Sequence, residues 1–282
     1  MTFYLLTTLF LFGLIIGSFL NVLILRHDKP KSASDGRSEC MTCKKPLSWY
    51  ELIPLLSWIM QGGKCRGCKK AVSVQYPLVE LATGLVFVFG AYVYFGLGDI
   101  SYLFDLSLGV IIGFGALLVS LAILVAIFVY DLYHQIIPDE WSLTFALATL
   151  TYALVIFARE GALWTETFWW HMVAGPILFM PFYLLWKVSD GKWIGLGDGK
   201  LAVGIGWLLG LSLGLSAVVY SFWLGAVYAI VMVIIQKISS QKELTMKTAI
   251  AFGPFMIVAT LLVFWLQTNT LQFVEVLGGM FS

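Results

Sequence analysis

From Ile111 the chain reads IIGFGALLVSLAILVAIFVY to Tyr130, and the next residue, Asp131, is the first charge. A helix rises about 1.5 Å per residue, so roughly twenty apolar residues cross the ~30 Å of a bilayer's hydrocarbon core. The stretch is read as a membrane span that ends on an acid. Working outward from it, runs of the same kind occupy approximately 3–25, 76–97, 104–130, 138–158, 169–188, 197–213, 216–236 and 248–268. The fold class expected is therefore an all-α polytopic membrane protein with about eight transmembrane helices. The run 197–213 is Gly-rich and opens on Asp198 and Lys200, so a short or re-entrant helix is the alternative there. No basic residue precedes the first run and no small-x-small site follows it, which reads as a retained span and not a signal peptide.

Composition agrees. Of 282 residues, 60% are apolar or aromatic and 12% are charged, and a mean hydropathy of +0.91 excludes an ordinary water-soluble domain. The net charge of +1 lacks the basic excess of a nucleic-acid binder. What charge there is lies unevenly. Ten of the 17 Lys and Arg residues fall between Arg26 and Lys70, against four acids, Asp28, Asp35, Glu39 and Glu51. Basic connections stay on the cytoplasmic side. Placing 26–75 inside and alternating puts the connections near 131–137, 187–200 and 237–247 inside as well, with Lys187, Lys192, Lys200, Lys237, Lys242 and Lys247. Only Arg159 is left outside, so 16 of the 17 basic residues share one face and the N-terminus faces out. The chain divides into a first transmembrane helix, 1–25, a cytoplasmic loop domain, 26–75, and a membrane core, 76–282.

A loop of this size is too short and polar to build a large core, so a staple is expected. It holds all four cysteines, as Cys40-Met-Thr-Cys43 and Cys65-Arg-Gly-Cys68. Two Cys-x-x-Cys knuckles at this spacing suit a tetrahedral zinc ion. Lys44, Lys45, Lys64, Arg66 and Lys69 would offset the charge of the thiolates. Four protein ligands leave no open position, so the metal would be structural. Two disulfides are the competing reading, and a cytoplasmic location argues against them.

Ionisable residues at the ends of spans are costly and are functional candidates by default. Asp131 ends the third span in Ala126-Ile-Phe-Val-Tyr-Asp131, seven residues before Pro138-Asp139, and Asp198 opens the sixth in Gly195-Leu-Gly197-Asp198-Gly-Lys200. Both fall at cytoplasmic helix ends. The plain reading makes Asp198 a helix cap and Asp131 a marker of the water boundary. The glycines beside Asp198 favour more, because they open a path for an extended peptide. Two close aspartates share a proton, so one serves as acid while the other is base toward a water, and a peptide bond is hydrolysed. Asp139 reads as a helix cap, and Asp99 and Asp105 as solvated residues outside. His27, His134 and His171 are scattered, and no Gly-x-Ser-x-Gly, His-Glu-x-x-His or Walker loop is present.

These residues resemble the bacterial prepilin peptidases, the type IV prepilin leader peptidases that are aspartic membrane proteases and N-methyltransferases. The likeness covers nearly the whole chain. It is carried by Gly17-Ser18-Phe19-Leu-Asn21-Val22, both cysteine knuckles, Trp49-Tyr50 with Ile53-Pro54, Gly63-Lys64-Cys65, Tyr76-Pro77-Leu-Val79-Glu80, Asp131 before Pro138-Asp139, and the Gly-x-Gly-Asp ending on Asp198. Val129-Tyr130 departs from the aliphatic residue more often found next to the aspartate.

The resemblance implies that Asp131 and Asp198 are a catalytic dyad cleaving the basic leader of type IV prepilins or pseudopilins. It implies N-methylation of the new N-terminus from S-adenosylmethionine, with Gly63, Lys64 and Glu80 linked to methyl transfer. Zinc and S-adenosylmethionine are the cofactors to expect, a prepilin and the lipid bilayer the partners, and the bacterial inner membrane the location. No Gly-rich Rossmann motif marks a methyl-donor site. Two other classes stand beside this reading. A transporter whose boundary acids bind cations would show acids near mid-span and inverted repeats, and neither is visible. A zinc-bearing membrane interaction module would use its carboxylates only as caps.

Overall fold

In hydrocarbon the backbone has no partner but itself, so sequence this apolar folds as helices. The computed structural model describes residues 2–27, 36–96, 107–239 and 251–267. In order they form α1 (Thr2–Arg26), a 3₁₀ turn (Trp49–Leu52), α2 (Leu56–Met60), α3 (Gln75–Phe95), α4 (Leu108–His134), α5 (Asp139–Arg159), α6 (Glu166–Val188), α7 (Leu196–Ser239) and α8 (Gly253–Leu266). No strand occurs among the described residues beyond two isolated bridges. The chain forms two compact units, 1–105 and 106–282. Lys29, Lys31, Lys242, Lys247, Asp28, Asp35, Asp99 and Asp105 lie outside the described residues.

Among the described residues six helices, α1 and α3 to α7, are long and apolar enough to cross a membrane, and α8 is a shorter apolar helix. The expectation of about eight is met once α7 is divided. At Gly210 the backbone leaves the helix, with φ 76 and ψ −179, a left-handed conformation that glycine adopts without penalty. A Cβ on Gly214 would lie 3.7 Å from the Gly206 Cα, whereas residues eight apart in a straight helix stand about 12 Å apart. The chain therefore doubles back. Its first arm, 196–209, is about 21 Å long at 1.5 Å per residue, short of a full crossing. The short helix given as the alternative for 197–213 is what forms, and the boundary is Gly210.

In the N-terminal unit α1 packs on α3 through small residues. A Cβ on Gly13 would stand 2.7 Å from the Gly84 Cα, and one on Gly17 2.7 Å from the Glu80 Cα, so the two backbones meet. Asn21, fully buried, locks the contact by donating from Nδ2 to the Gly17 carbonyl (3.2 Å) and the Tyr76 carbonyl (3.1 Å). The loop between these helices repeats one small motif. The Cys40 N–H donates to the Lys45 carbonyl and the Lys44 N–H to the Cys40 carbonyl, and Cys65 makes the same two bonds with Lys70 and Lys69. Lys44 and Lys69 are both left-handed, and the bridges Glu39–Pro46 and Lys64–Ala71 close the two knuckles alike.

In the C-terminal unit α4 is the core. Leu117, Leu121, Leu124, Ala126 and Ile127 have no exposed surface. On it pack α5 and α8, with α7 against both of these and α6 against α7. A Cβ on Gly206 would come within 2.6 Å of the Gly175 nitrogen, and Trp207 Nε1 donates to the Met172 carbonyl at 2.9 Å, so α6 and α7 touch backbone to backbone. Trp164, Trp169 and Trp170 gather exposed where α5 ends and α6 begins, and Trp193 and Tyr133 are exposed at the opposite end. Such belts are the mark of helix ends at the membrane–water interface.

Candidate functional site

The end of α4 and the start of α7 carry the two aspartates. Asp131 is 4% exposed and Asp198 8%. They are close enough for the charge of one to act on the other. Each is also held by a backbone N–H. Asp198 lies in the first turn of α7, and its carboxylate faces the N–H of Gly195, just before the helix, as the acid of a capping box does. The cap reading and the site reading of Asp198 are thus the same geometry. Asp131 faces the N–H of Gly253, the first residue of α8.

Glycine at 253 is obligatory, since a Cβ there would stand 2.5 Å from Asp131 Oδ2 and 3.1 Å from Ile137 Cδ1. A Cβ on Gly197 would meet the Ile137 Cβ at 3.1 Å. The dyad is therefore walled by Ile137 and by backbone. Asp139 does not cap α5: the N-cap is Pro138, and Asp139 in the first turn takes Lys200 Nζ at 2.6 Å, joining the start of α5 to α7. His134 stacks on Tyr130, and His171 Nε2 pairs with the Trp207 carbonyl, so neither joins the aspartates.

In the N-terminal unit the four cysteine sulfurs converge, all within 4.8 Å of one another. No disulfide joins them. Cys40 Sγ and Cys68 Sγ are 3.9 Å apart, against about 3.8 Å for the edge of a zinc tetrahedron with 2.3 Å bonds. The N–H groups of Cys43 and Thr42 aimed at the Cys40 sulfur lower its thiol to about 6, the direction that favours a metal-binding thiolate. The donor set and its spacing fit zinc.

Gly63, Lys64 and Glu80, which the resemblance links to methyl transfer, lie in this same unit. Lys64 and Glu80 both line a cavity of about 870 Å³, while Gly63 stands behind it. Gly63 is left-handed, and a Cβ there would come within 2.8 Å of Trp58 Cζ2, a ring that lines the cavity. Glu80 is 6% exposed and accepts from the Leu55 N–H at 2.8 Å. Gly253, Trp58, Leu55 and Glu51 escaped the sequence reading. The one sequence signal for Gly253 is a glycine before Pro254 at a helix start.

Residues 118–230 match the family model described as type IV leader peptidase family, and residues 11–94 that of the bacterial peptidase A24 N-terminal domain. Similar curated proteins carry the name prepilin leader peptidase/N-methyltransferase. That of Stutzerimonas stutzeri is 33% identical over 276 residues, covering 88% of this chain and 86% of that protein. That of Bacillus subtilis is 32% identical over 248 residues, covering 88% and 91%. That of Myxococcus xanthus is 35% identical over 232 residues, covering 80% of this chain and 62% of that protein. No solved structure matches the chain significantly. With both domain models in register along the sequence and relatives covered over most of their length, the chain belongs to the type IV leader peptidase family.

Proposed function

We propose that the protein is a multi-pass aspartic endopeptidase of the bacterial inner membrane that removes the basic leader of prepilins or pseudopilins and methylates the amino group so exposed. The observation that carries the peptidase is the meeting of two buried carboxylates from different helices, Asp131 and Asp198. In this reading one aspartate takes a proton from a water while the other, protonated, donates toward the scissile carbonyl. The tetrahedral intermediate collapses as the leaving amine takes a proton from the dyad. The N–H groups of Gly253 and Gly195 each hold one of the two carboxylates. The charge asymmetry supports placing the dyad and the loop 26–75 on the cytoplasmic face, where a basic leader remains.

Cys40, Cys43, Cys65 and Cys68 hold a structural zinc ion that fixes the loop. Lys64, Gly63 and Glu80 serve methyl transfer. S-adenosylmethionine supplies a methyl group on a cationic sulfur, which the uncharged amine takes as the carbon–sulfur bond breaks, its electrons staying on sulfur and a proton leaving nitrogen for water. A transporter and a zinc-bearing interaction module are not favoured by the family. The test is a co-expressed prepilin examined by mass spectrometry with the wild-type protein, Asp131→Asn and Asp198→Asn. The expected result is a shortened, methylated pilin with wild type and an intact prepilin with both variants. Near-normal cleavage by either variant overturns the dyad.

A further inference from the structure

The dyad makes no use of a cavity in the N-terminal unit. Its volume of about 870 Å³ lies in the range of small-molecule sites. Its wall is drawn from α1, both knuckles, the 3₁₀ turn, α2 and the start of α3, so it exists only when the loop is folded onto the two helices. Two acids on this wall are buried, Glu51 at 7% and Glu80 at 6% exposure. A buried carboxylate needs compensation. For each, one is visible: the Ser48 N–H donates to Glu51 Oε2 at 2.9 Å and the Leu55 N–H to Glu80 Oε2 at 2.8 Å. Leu55 makes its bond from a strained backbone, φ 58 and ψ −54, a conformation costly for leucine and therefore held by its surroundings. The remaining wall is apolar and aromatic, with Trp58 and Tyr76, and Lys64 adds a cation.

We infer that this cavity is the methyl-donor site and that Glu80, with Glu51, faces the cationic and hydroxyl-bearing part of S-adenosylmethionine. The match is chemical. The ligand carries a positive sulfur, an ammonium and a ribose diol, which suit carboxylates, a flat adenine, which suits Trp58 and Tyr76, and a carboxylate, which suits Lys64. Gly63 then acts through Trp58, because a side chain at 63 would collide with that ring, which lines the cavity. The inference rests on the proposed methylation and adds its location.

The experiment uses the full chain purified in detergent, with S-adenosylmethionine as the probe. Binding is measured by calorimetry on wild type, Glu80→Gln and Ser57→Trp, the latter placing a large ring on the cavity wall, and methylation of a cleaved pilin peptide is followed beside it. The expected result is a binding wild type and at least a tenfold weaker dissociation constant in each variant. Wild-type affinity in both variants, with methylation intact in the parent, overturns the location and leaves methylation standing. A parent that neither binds nor methylates overturns methylation and the location with it. Ultraviolet cross-linking of the bound ligand to the parent needs no variant and decides the matter if either substitution disturbs folding. Label within 38–80 supports the site, and label confined to other segments overturns it.

Discussion

The two units of this chain solve the problem of a fixed site in opposite ways. In the C-terminal unit the two aspartates proposed to react sit on the ends of long helices, and precision comes from packing: α4 has several residues with no exposure, and the Gly253 backbone closes on Asp131 while Gly197 closes on Ile137. In the N-terminal unit the longest element among the described residues between α1 and α3 is the five-residue α2, and order comes from a pair of matching cysteine knuckles. Two carboxylates that share a proton tolerate little relative movement, which suits helix ends. A cavity for a flexible ligand needs a wall assembled from several segments, which suits a stapled loop.

The largest effect separates the two chemistries. Asp131→Asn is expected to lower leader cleavage by about 10³-fold, the scale of a lost general acid–base partner. Methylation of a peptide that already begins with the new N-terminus stays near the wild-type rate. Parallel loss of both activities in a purified-protein assay would break the division between the units.

Next in size is loss of the staple. Structural zinc in isolated knuckle peptides is worth about 10–16 kcal/mol, far beyond what a five-residue helix and a 3₁₀ turn supply. With Cys65→Ser, elemental analysis is expected to show loss of the bound zinc, limited proteolysis to open the segment 36–74, and methylation to fall at least tenfold. Cleavage falls less, because no cysteine belongs to the unit that carries the dyad.

The contrast also explains what the sequence made legible. Charge-poor runs of about twenty residues marked the spans, and Asp131 and Asp198 stood out because so few acids lie at their cytoplasmic ends. The cysteine spacing announced the cluster. The break at Gly210 was hidden among Gly204, Gly206 and Gly214, since only the conformation, not the residue type, tells the four apart. Gly253 lies 122 residues beyond Asp131 in an apolar stretch whose spacing says nothing of a carboxylate above it. The cavity was invisible for a similar reason: its wall draws on elements from Ser18 to Glu80, and Gly63 touches it only through Trp58.

Both units do share one device, the glycine contact between helices, and a matched pair of substitutions probes it. Gly206→Ala sets a methyl against the Gly175 backbone, and Gly17→Ala sets one against the Glu80 Cα. Each is expected to cost about 1–3 kcal/mol, the range for overpacking a close contact. The readout differs by unit: thermal unfolding falls for both, with cleavage more sensitive to Gly206→Ala and methylation more sensitive to Gly17→Ala.

The smallest effect lies nearest the dyad. Lys200 is two residues from Asp198, and its bond to Asp139 at 2.6 Å looks like a brace for the site. The partners' side chains are 34% and 74% exposed, so water screens the pair on both sides. An ion pair of that exposure contributes about 1 kcal/mol at most. The bracing of Asp198 comes instead from the Gly195 N–H and from the close approach of α6 to α7. Lys200→Met, which keeps the side chain's length and apolar stem, is accordingly expected to leave cleavage within about threefold of wild type, since 1 kcal/mol is a factor of about five and only part of it acts on the site. A loss on the scale of Asp131→Asn would instead place the Lys200 ammonium in the peptidase machinery. The C-terminal unit would then depend on an exposed charge for the rigidity that its packing is argued to supply.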